Sequence, residues 1–286
     1  RYSTNKWLLL LPNVTTNKEF NMQIDQPMFD AKAWKLTVQQ QDLTARARNI
    51  GQNKFADRAA DYDTRAAFPT ENYNDLFDAN LMGICIPKDA GGEGADFLTY
   101  ALTAAEIGRY CGATALTWNM HVCSTLWSGL LSDDLEMDSA TRALHIKNRG
   151  VHYQRILEQR AIYSQPFSEG GAAAAGTTAF ATVAHKVPGG WLVNGKKIFA
   201  SLAGHANYYG VLCTETSDEI TELSRRNTTY LAIPATAAGV SVEGPWDPVG
   251  MRGTVSRTLI FKDVFVPQDA TLMPPGIYFQ AAKRWP

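Results

Sequence analysis

At 286 residues, 45% hydrophobic and 19% charged, the chain has the composition of a globular protein with room for two compact domains. Its 27 basic and 28 acidic residues leave a formal net charge of -1, which gives no electrostatic footprint for nucleic acid or an anionic membrane surface. Four cysteines, Cys85, Cys111, Cys123 and Cys213, follow no C-x-x-C spacing. That argues against a zinc site and a disulfide framework, and fits a reducing compartment.

Residues 1–27 read as an N-terminal extension. Lys6 precedes Trp7-Leu8-Leu9-Leu10-Leu11, which imitates the start of a signal peptide, but the run ends at Pro12 and is too short for one. No stretch approaches the roughly 20 apolar residues of a membrane span. Asn13-Val14-Thr15 and Asn227-Thr228-Thr229 match the glycosylation sequon; without a secretion signal they read as chance matches in a cytoplasmic protein.

Residues 28–159 carry a helical rhythm. Asp30 can cap a helix whose apolar positions Trp34, Val38, Ala45 and Ile50 recur at mixed three- and four-residue steps. The pattern runs on through Phe55, Ala59 and Tyr62 to Phe68-Pro69, where the proline starts a new element. A short helix follows from Asn72 to Asn80, then an extended Met82–Pro87 and a Gly-rich loop, Lys88–Gly94. Phe97–Tyr110 and Ala113–Leu131 read as two buried helices, and a last helix runs through Ala143 and Ile156.

From 160 to 275 the rhythm becomes that of strands. Thr177–Ala184 alternates apolar with small residues, Pro188-Gly189-Gly190 is a turn, and Trp191-Leu192-Val193 a short strand. Asn194-Gly195 carries the strongest two-residue hairpin signal. Further strands are expected at Tyr208–Thr214, Tyr230–Ile233, Val240–Val242 and Thr258–Val266, at spacings that suit a barrel or sandwich. Ala172–Ala175 is a low-complexity patch with no chemistry. The fold class is therefore α+β, an all-helical N-terminal domain followed by an antiparallel β-barrel or sandwich. Residues 276–286 begin another element.

Two segments carry chemistry. Tyr163-Ser164-Gln165-Pro166-Phe167-Ser168-Glu169-Gly170-Gly171 sets a small hydroxyl before a proline and a Gly-rich turn. Such a turn offers free backbone N–H groups to an anionic phosphate or a heterocycle edge. Some thirty residues on, Asn194-Gly195-Lys196-Lys197-Ile198-Phe199-Ala200-Ser201 ends in an aromatic and a second hydroxyl.

The pairing resembles the flavin cradle of the acyl-CoA dehydrogenase family, whose pattern runs Thr-Glu-Pro-x-x-Gly-Ser-Asp, then Asn-Gly-x-Lys-x-Trp-Ile-Thr. Other pieces of the family's order are also present. Ala59–Asp63 with Phe68-Pro69 resembles its first long helix and exit. Leu81–Pro87 with Gly91-Gly92-Glu93-Gly94 resembles its Gly-Leu-x-x-Pro…Gly-Gly-x-Gly loop. Gly250–Ser256 and Phe261–Pro267 resemble the strands that close its β-domain. The likeness spans about residues 30 to 275.

The resemblance implies an FAD enzyme that oxidises an acyl-CoA thioester between its α and β carbons, with hydride passing to the flavin. Ser164 would bond the pyrimidine end of the ring, Ser201 its N5 edge, and Phe199 would replace the family's tryptophan on the ring face. Tyr163, Gln165, Ser168, Gly170 and Ala200 complete the expected cofactor-binding set. Read without the resemblance, Phe199 and Ser201 are ordinary strand residues pointing in and out. Gln165 departs from the family's acidic residue, and Glu169-Gly170-Gly171 replaces its Gly-Ser-Asp. Glu169 thereby brings a negative charge near the expected phosphates unless it points away.

No carboxylate is expected to act as base: Glu93 and Glu106 read as loop and helix-face charges. His121 lies on the helix that would flank the acyl pocket but reads as a core histidine, and no histidines have metal-ligand spacing. Family members continue past the Val-Pro segment into a helical bundle carrying the catalytic glutamate, so a longer parent chain or a partner is expected. The implied partners are an acyl-CoA or related small molecule, an electron-accepting flavoprotein, and further copies in a homo-oligomer. A flavin monooxygenase or nitroalkane-oxidase-like enzyme on the same fold, and a flavin-free scaffold, are the competing readings.

Overall fold

The computed structural model describes residues 26–170 and 178–284. The Leu-rich run, the Asn13 sequon, Ala172–Ala175 and the start of the strand expected at Thr177 lie outside them. Helices occupy the first half: α1 (Val38–Ile50), α2 (Ala56–Arg65), α3 (Thr70–Asp78), α4 (Phe97–Gly108), α5 (Gly112–Ser128), the single turn α6 (Leu130–Asp133) and α7 (Ser139–Leu157). Strands β1 (Tyr163–Ser164), β2 (Val183–Val187), β3 (Gly190–Ala200), β4 (Tyr208–Thr216), β5 (Thr228–Pro234), β6 (Val240–Glu243), β7 (Arg257–Pro267) and β8 (Thr271–Met273) follow, then α8 (Ile277–Arg284). The order of helices before strands agrees with the hydrophobic rhythm.

The first helix starts later than Asp30. That carboxylate accepts from Ala33 N at 2.6 Å and nucleates only a turn, which ends where Lys35 adopts a left-handed φ of 52°. Thr37 is the true N-cap, in a capping box with Gln40. The buried stripe is therefore Gln40, Leu43, Thr44, Ala47 and Ile50, whereas Trp34 and Val38 are exposed. A π-helical turn, Gly51–Phe55, joins α1 to α2 without a break. A Cβ on Gly51 would lie 2.2 Å from Tyr110 Cδ2, so the aromatic ring seals the bulge only because the residue is glycine. The segment 82–87 is a run of turns rather than an extended stretch. The carbonyl just before it is used by α5: Trp118 Nε1 donates to Leu81 O at 3.2 Å.

The strands form one open sheet in the order β6-β7-β3-β2-β4-β5-β8; of the barrel or sandwich expected from their spacing, the closed barrel does not form. It is mostly antiparallel, but β1 and β2 each run parallel to β4, at opposite ends of it. Edge strands β6 and β8 are too short, and too far apart in the order, to meet. The β2–β3 hairpin turns at Pro188-Gly189, since Val187 pairs with Gly190. Asn194-Gly195 lies instead within β3, opposite a bulge in β7 where Asp263 takes a φ of 50°. Asn194 Nδ2 donates to Asp263 Oδ1 at 3.0 Å, and Asp263 N returns a bond to Asn194 Oδ1 at 2.9 Å. Turn chemistry here serves a bulge, which inserts one residue without reversing the chain. Among the described residues, no helix is long and apolar enough to cross a membrane.

Candidate functional site

The Ser164 loop and the end of β3 meet at the seam between helices and sheet. His121, on α5, fixes where the loop begins. Its Nδ1 accepts from Tyr163 N at 3.0 Å, so Nε2 carries the proton and donates to Met82 O at 3.0 Å. Burial pushes this imidazole down to about 4, and the side chain is neutral. A histidine with both nitrogens satisfied is a fastening, as its place on an apolar helix suggested. Tyr163 is fully buried, its hydroxyl 2.9 Å from His152 Nδ1 and its ring stacked on Tyr208 at 5.0 Å.

From Ser164 the loop runs over the sheet. Ser164 Oγ donates to the carbonyl of Ser201 at 2.5 Å, which joins the two sequence segments directly. Gln165 and Pro166 are buried. Phe167 packs edge-on against Tyr230 at 5.9 Å and Tyr278 at 5.7 Å. Ser168 O accepts from Ile198 N at 2.8 Å. Gly170, with φ of 82°, is exposed at the last described position of the loop.

Glu169 points away from this surface. It forms a buried ion pair with Lys197 at 2.6 Å and accepts from Ala181 N at 2.6 Å and Thr182 N at 2.9 Å. Burial would raise the carboxyl, but Lys197 and Thr182 outweigh it and hold the group below the usual carboxylate range. The charge expected to trouble a phosphate is thus neutralised inside the sheet.

At the end of β3 a second bulge places one extra residue against β7, between Lys197 and Ala200. Phe199 occupies it with a left-handed φ of 51°, and its ring is 65% exposed. A β-strand alternation would have aimed this ring at the core or at open solvent; the bulge turns it edge-on to Trp246, at 6.3 Å and 82°. Ala200 is buried. Ser201 Oγ lies 2.9 Å from Ser256 Oγ, which lies 2.7 Å from Thr254 Oγ1, which donates to Met251 O at 2.9 Å.

The segment 250–256 is not a strand. It is a tight turn with left-handed Met251 and Val255 flanking a 3-10 turn at Arg252–Thr254, and β7 begins only at Arg257. Arg252 N and Nε donate to Asp63 Oδ1 and O at 3.2 and 2.8 Å, tying this turn to the end of α2. Periodicity gives no role to Trp246, Thr254 or Ser256, because it assigns none to a turn; the signal for Thr254 and Ser256 is their place in the Gly250–Ser256 segment, and Trp246 has none.

Glu106 and Glu93 are elsewhere. Glu106, far from a solvated helix face, is 1% exposed and pairs with Arg109 at 2.9 Å and Arg48 at 3.4 Å. It also accepts from Met28 N at 2.9 Å. Glu93 pairs with Arg46 at 2.5 Å. Among the described residues no three His, Cys, Asp or Glu side chains gather as a metal cluster.

Comparison with known proteins accords with this layout. The family model for the acyl-CoA dehydrogenase N-terminal domain matches residues 37–129, and that for the middle domain matches 166–264. A probable acyl-CoA dehydrogenase of Bacillus subtilis, YngJ, is 24% identical over 85% of this chain and 60% of its own length. Among solved structures, butyryl-CoA dehydrogenase of Megasphaera elsdenii superposes with a TM-score of 0.69 at 23% identity, covering 87% of this chain and 62% of that one. FMN-bound TdsC of Paenibacillus, a dibenzothiophene monooxygenase, gives 0.68 at 22%, covering 86% and 56%. At these identities the structural likeness speaks for the fold alone. The chain spans 55–60% of the length of the curated relatives YngJ and the human short-chain acyl-CoA dehydrogenase. With both domain models matched in order across the helical half and the sheet, the chain belongs to the acyl-CoA dehydrogenase family.

Proposed function

We propose that the protein is a flavin-dependent oxidoreductase acting by α,β-dehydrogenation of an acyl-CoA thioester, with FAD held at the seam between the Ser164 loop and the end of β3. The observation that carries this is the solvent-facing Phe199 ring on a left-handed bulge, edge-on to Trp246, two residues before Ser201, whose carbonyl accepts from the Ser164 hydroxyl. An exposed aromatic ring two residues from the head of a line of buried hydroxyls suits a flat heterocycle with polar edges. Covering such a ring is favourable by about 25 cal/mol per Å² of apolar area.

In this reading Phe199, with Trp246, forms a wall of the ring site, and Ser164 and Ser201 face its polar edge. Ser168 and the backbone of Gly170 lie toward the phosphates, and the inward Tyr163, Gln165 and Ala200 hold the floor. When bound, the flavin supplies the hydride acceptor. The protein's own part is to exclude water from the ring face and to fix the hydroxyls.

No base is assigned to Glu93 or Glu106. Each carboxylate is already engaged by arginine. We further propose a helical domain over 28–159, a β domain over 160–275 and a third element from 276. An electron-accepting flavoprotein partner, homo-oligomerisation and a cytoplasmic location belong to the same reading.

A second reading, an oxygen-using flavin monooxygenase, draws support from the fold likeness to TdsC and from Gly170, which lacks the hydroxyl of the family's Gly-Ser-Asp. Reconstitution with FAD or FMN, followed by anaerobic addition of butyryl-CoA, separates the two. Bleaching of the flavin with appearance of the enoyl product is expected once a helical domain carrying the base is supplied in cis or in trans. Bleaching only by an external reductant, with oxygen-dependent oxidation of an aromatic thioether, would favour the second reading. Absence of flavin binding would overturn both in favour of a flavin-free scaffold.

A further inference from the structure

Ser201 is the head of a series of three hydroxyls, and counting their protons gives the site a polarity. Each hydroxyl owns one proton and two lone pairs. A carbonyl can only accept, so at 2.9 Å the proton of Thr254 belongs to Met251 O. Thr254 Oγ1 then has only lone pairs for Ser256 at 2.7 Å, and the Ser256 proton points to Thr254. By the same rule the Ser201 proton points to Ser256 at 2.9 Å. Ser201 Oγ is left with lone pairs alone. Ser164 does not alter the count, because its own proton goes to the Ser201 carbonyl at 2.5 Å.

Thr254, Ser256 and Ser201 are respectively 0%, 7% and 8% exposed, so water has little access to scramble the series. Reversing it requires Thr254 to release Met251 O. That carbonyl would keep Thr254 N at 3.1 Å and Trp246 Nε1 at 3.4 Å, so reversal forfeits one hydrogen bond without orphaning the acceptor. The bias is therefore a factor set by one neutral hydrogen bond, and not an absolute block.

We propose that Thr254 and Ser256 are positioning residues that fix Ser201 as a hydrogen-bond acceptor, so that the site favours a ligand edge carrying an N–H donor: reduced over oxidised flavin. This rests on the flavin reading above. On that reading the ring nitrogen that would face Ser201 is a bare acceptor when oxidised and an N–H when reduced, so the resting polarity of the series would match only the second. The external two-electron reductant in the test is dithionite.

The test is to measure dissociation constants for oxidised and dithionite-reduced FAD, and the two-electron midpoint potential, in the full chain and in Ser256→Ala, Thr254→Val and Thr254→Ser. Ser256→Ala frees the Ser201 proton, and Thr254→Val frees it indirectly by leaving Ser256 to donate to Ser201. Both should tighten oxidised FAD relative to reduced by roughly 3–10-fold, the range of one neutral hydrogen bond. At about 30 mV per tenfold for a two-electron couple, the potential falls by about 15–30 mV. Thr254→Ser keeps the hydroxyl and should retain the wild-type ratio. A merely structural role would weaken both redox forms equally and leave the potential unchanged, and that result overturns the proposal while leaving the flavin reading intact. Failure of the wild-type chain to bind either form overturns the flavin reading itself, and this inference with it.

Discussion

Replacing Lys197 by methionine should be among the most damaging single changes to the sheet. Its side chain is 0% exposed and that of Glu169 is 6% exposed, so neither charge has water to fall back on. Lys197 Nζ donates to Glu169 Oε1 at 2.6 Å and to Leu212 O at 2.7 Å, and sits 4.5 Å from the Phe180 ring centroid. Losing it leaves a buried carboxylate with only the Ala181 and Thr182 amides. Breaking a buried pair from one side costs about 3–5 kcal/mol. The two amide bonds to the charged carboxylate persist, which sets the expectation near the lower end, about 3 kcal/mol.

Glu169→Gln in the Lys197→Met background removes the stranded charge and should recover about 1–2 kcal/mol. It cannot recover all of it, because the amide nitrogen of Gln cannot accept from a backbone N–H. Urea unfolding at pH 7, followed by far-UV circular dichroism, supplies the four corners of the double-mutant cycle. Because Glu169 sits below its ordinary pKa in the pair, its stabilisation is present above the unfolded carboxylate value and lost as pH falls through the folded one. The Lys197→Met deficit should therefore shrink in acid. A deficit under about 1 kcal/mol at pH 7, or a double variant no more stable than Lys197→Met, would show that the pair is not what holds the Ser164 loop to the sheet.

Gly195→Ala should destabilise by about 1–3 kcal/mol in the same assay, since the added Cβ would lie 2.6 Å from Thr182 Cα, a backbone neighbour that cannot rotate away. Wild-type stability would mean that the bulge relaxes. His121, His145 and His152 are pushed down to about 4, about 4 and about 3, in each case by burial first, with Arg149 adding at His145 and Arg155 at His152. Below the unfolded value of about 6.5 the unfolded chain binds more protons than the folded one, so stability should fall with pH from there down to the folded values. At pH 5 the loss is about 2 kcal/mol per histidine. A stability that is flat between pH 7 and pH 5 would contradict the assignment of all three as neutral and buried.

Much of this architecture was legible because burial imposes periods on the sequence. The switch from helical to strand rhythm around residue 160 follows from which neighbours each residue must cover, and the structure keeps that order. What failed to read were places where local chemistry serves a distant partner. Asn194-Gly195 has the composition of a hairpin, but the reversal was already made at Pro188-Gly189, and the pair instead answers a bulge 69 residues away at Asp263. Lys197 and Glu169 look in sequence like a strand-face cation and a loop anion; only the folded sheet shows that each is the other's solvent. Whether the sheet closes was not legible for a similar reason: strand spacing reports how often the chain turns, not whether the edge strands meet.

The same limit applies at the candidate site, where the resemblance singled out both segments but not what links them. Ser164 reaches the carbonyl of Ser201, and Ser201 reaches Ser256 and Thr254 on a turn that Arg252 anchors to the end of α2. The Phe199 ring is then set against Trp246 by a left-handed residue that no strand pattern predicts. A non-glycine bulge of this kind costs about 1–3 kcal/mol and persists only where its surroundings over-determine it. Here Ile198 N bonds Ser168 O on one side, and the Ser201 carbonyl accepts from Ser164 on the other. The loop and the bulge thus hold each other in place, and a ligand resting on Phe199 would meet a surface whose shape was set before it arrived.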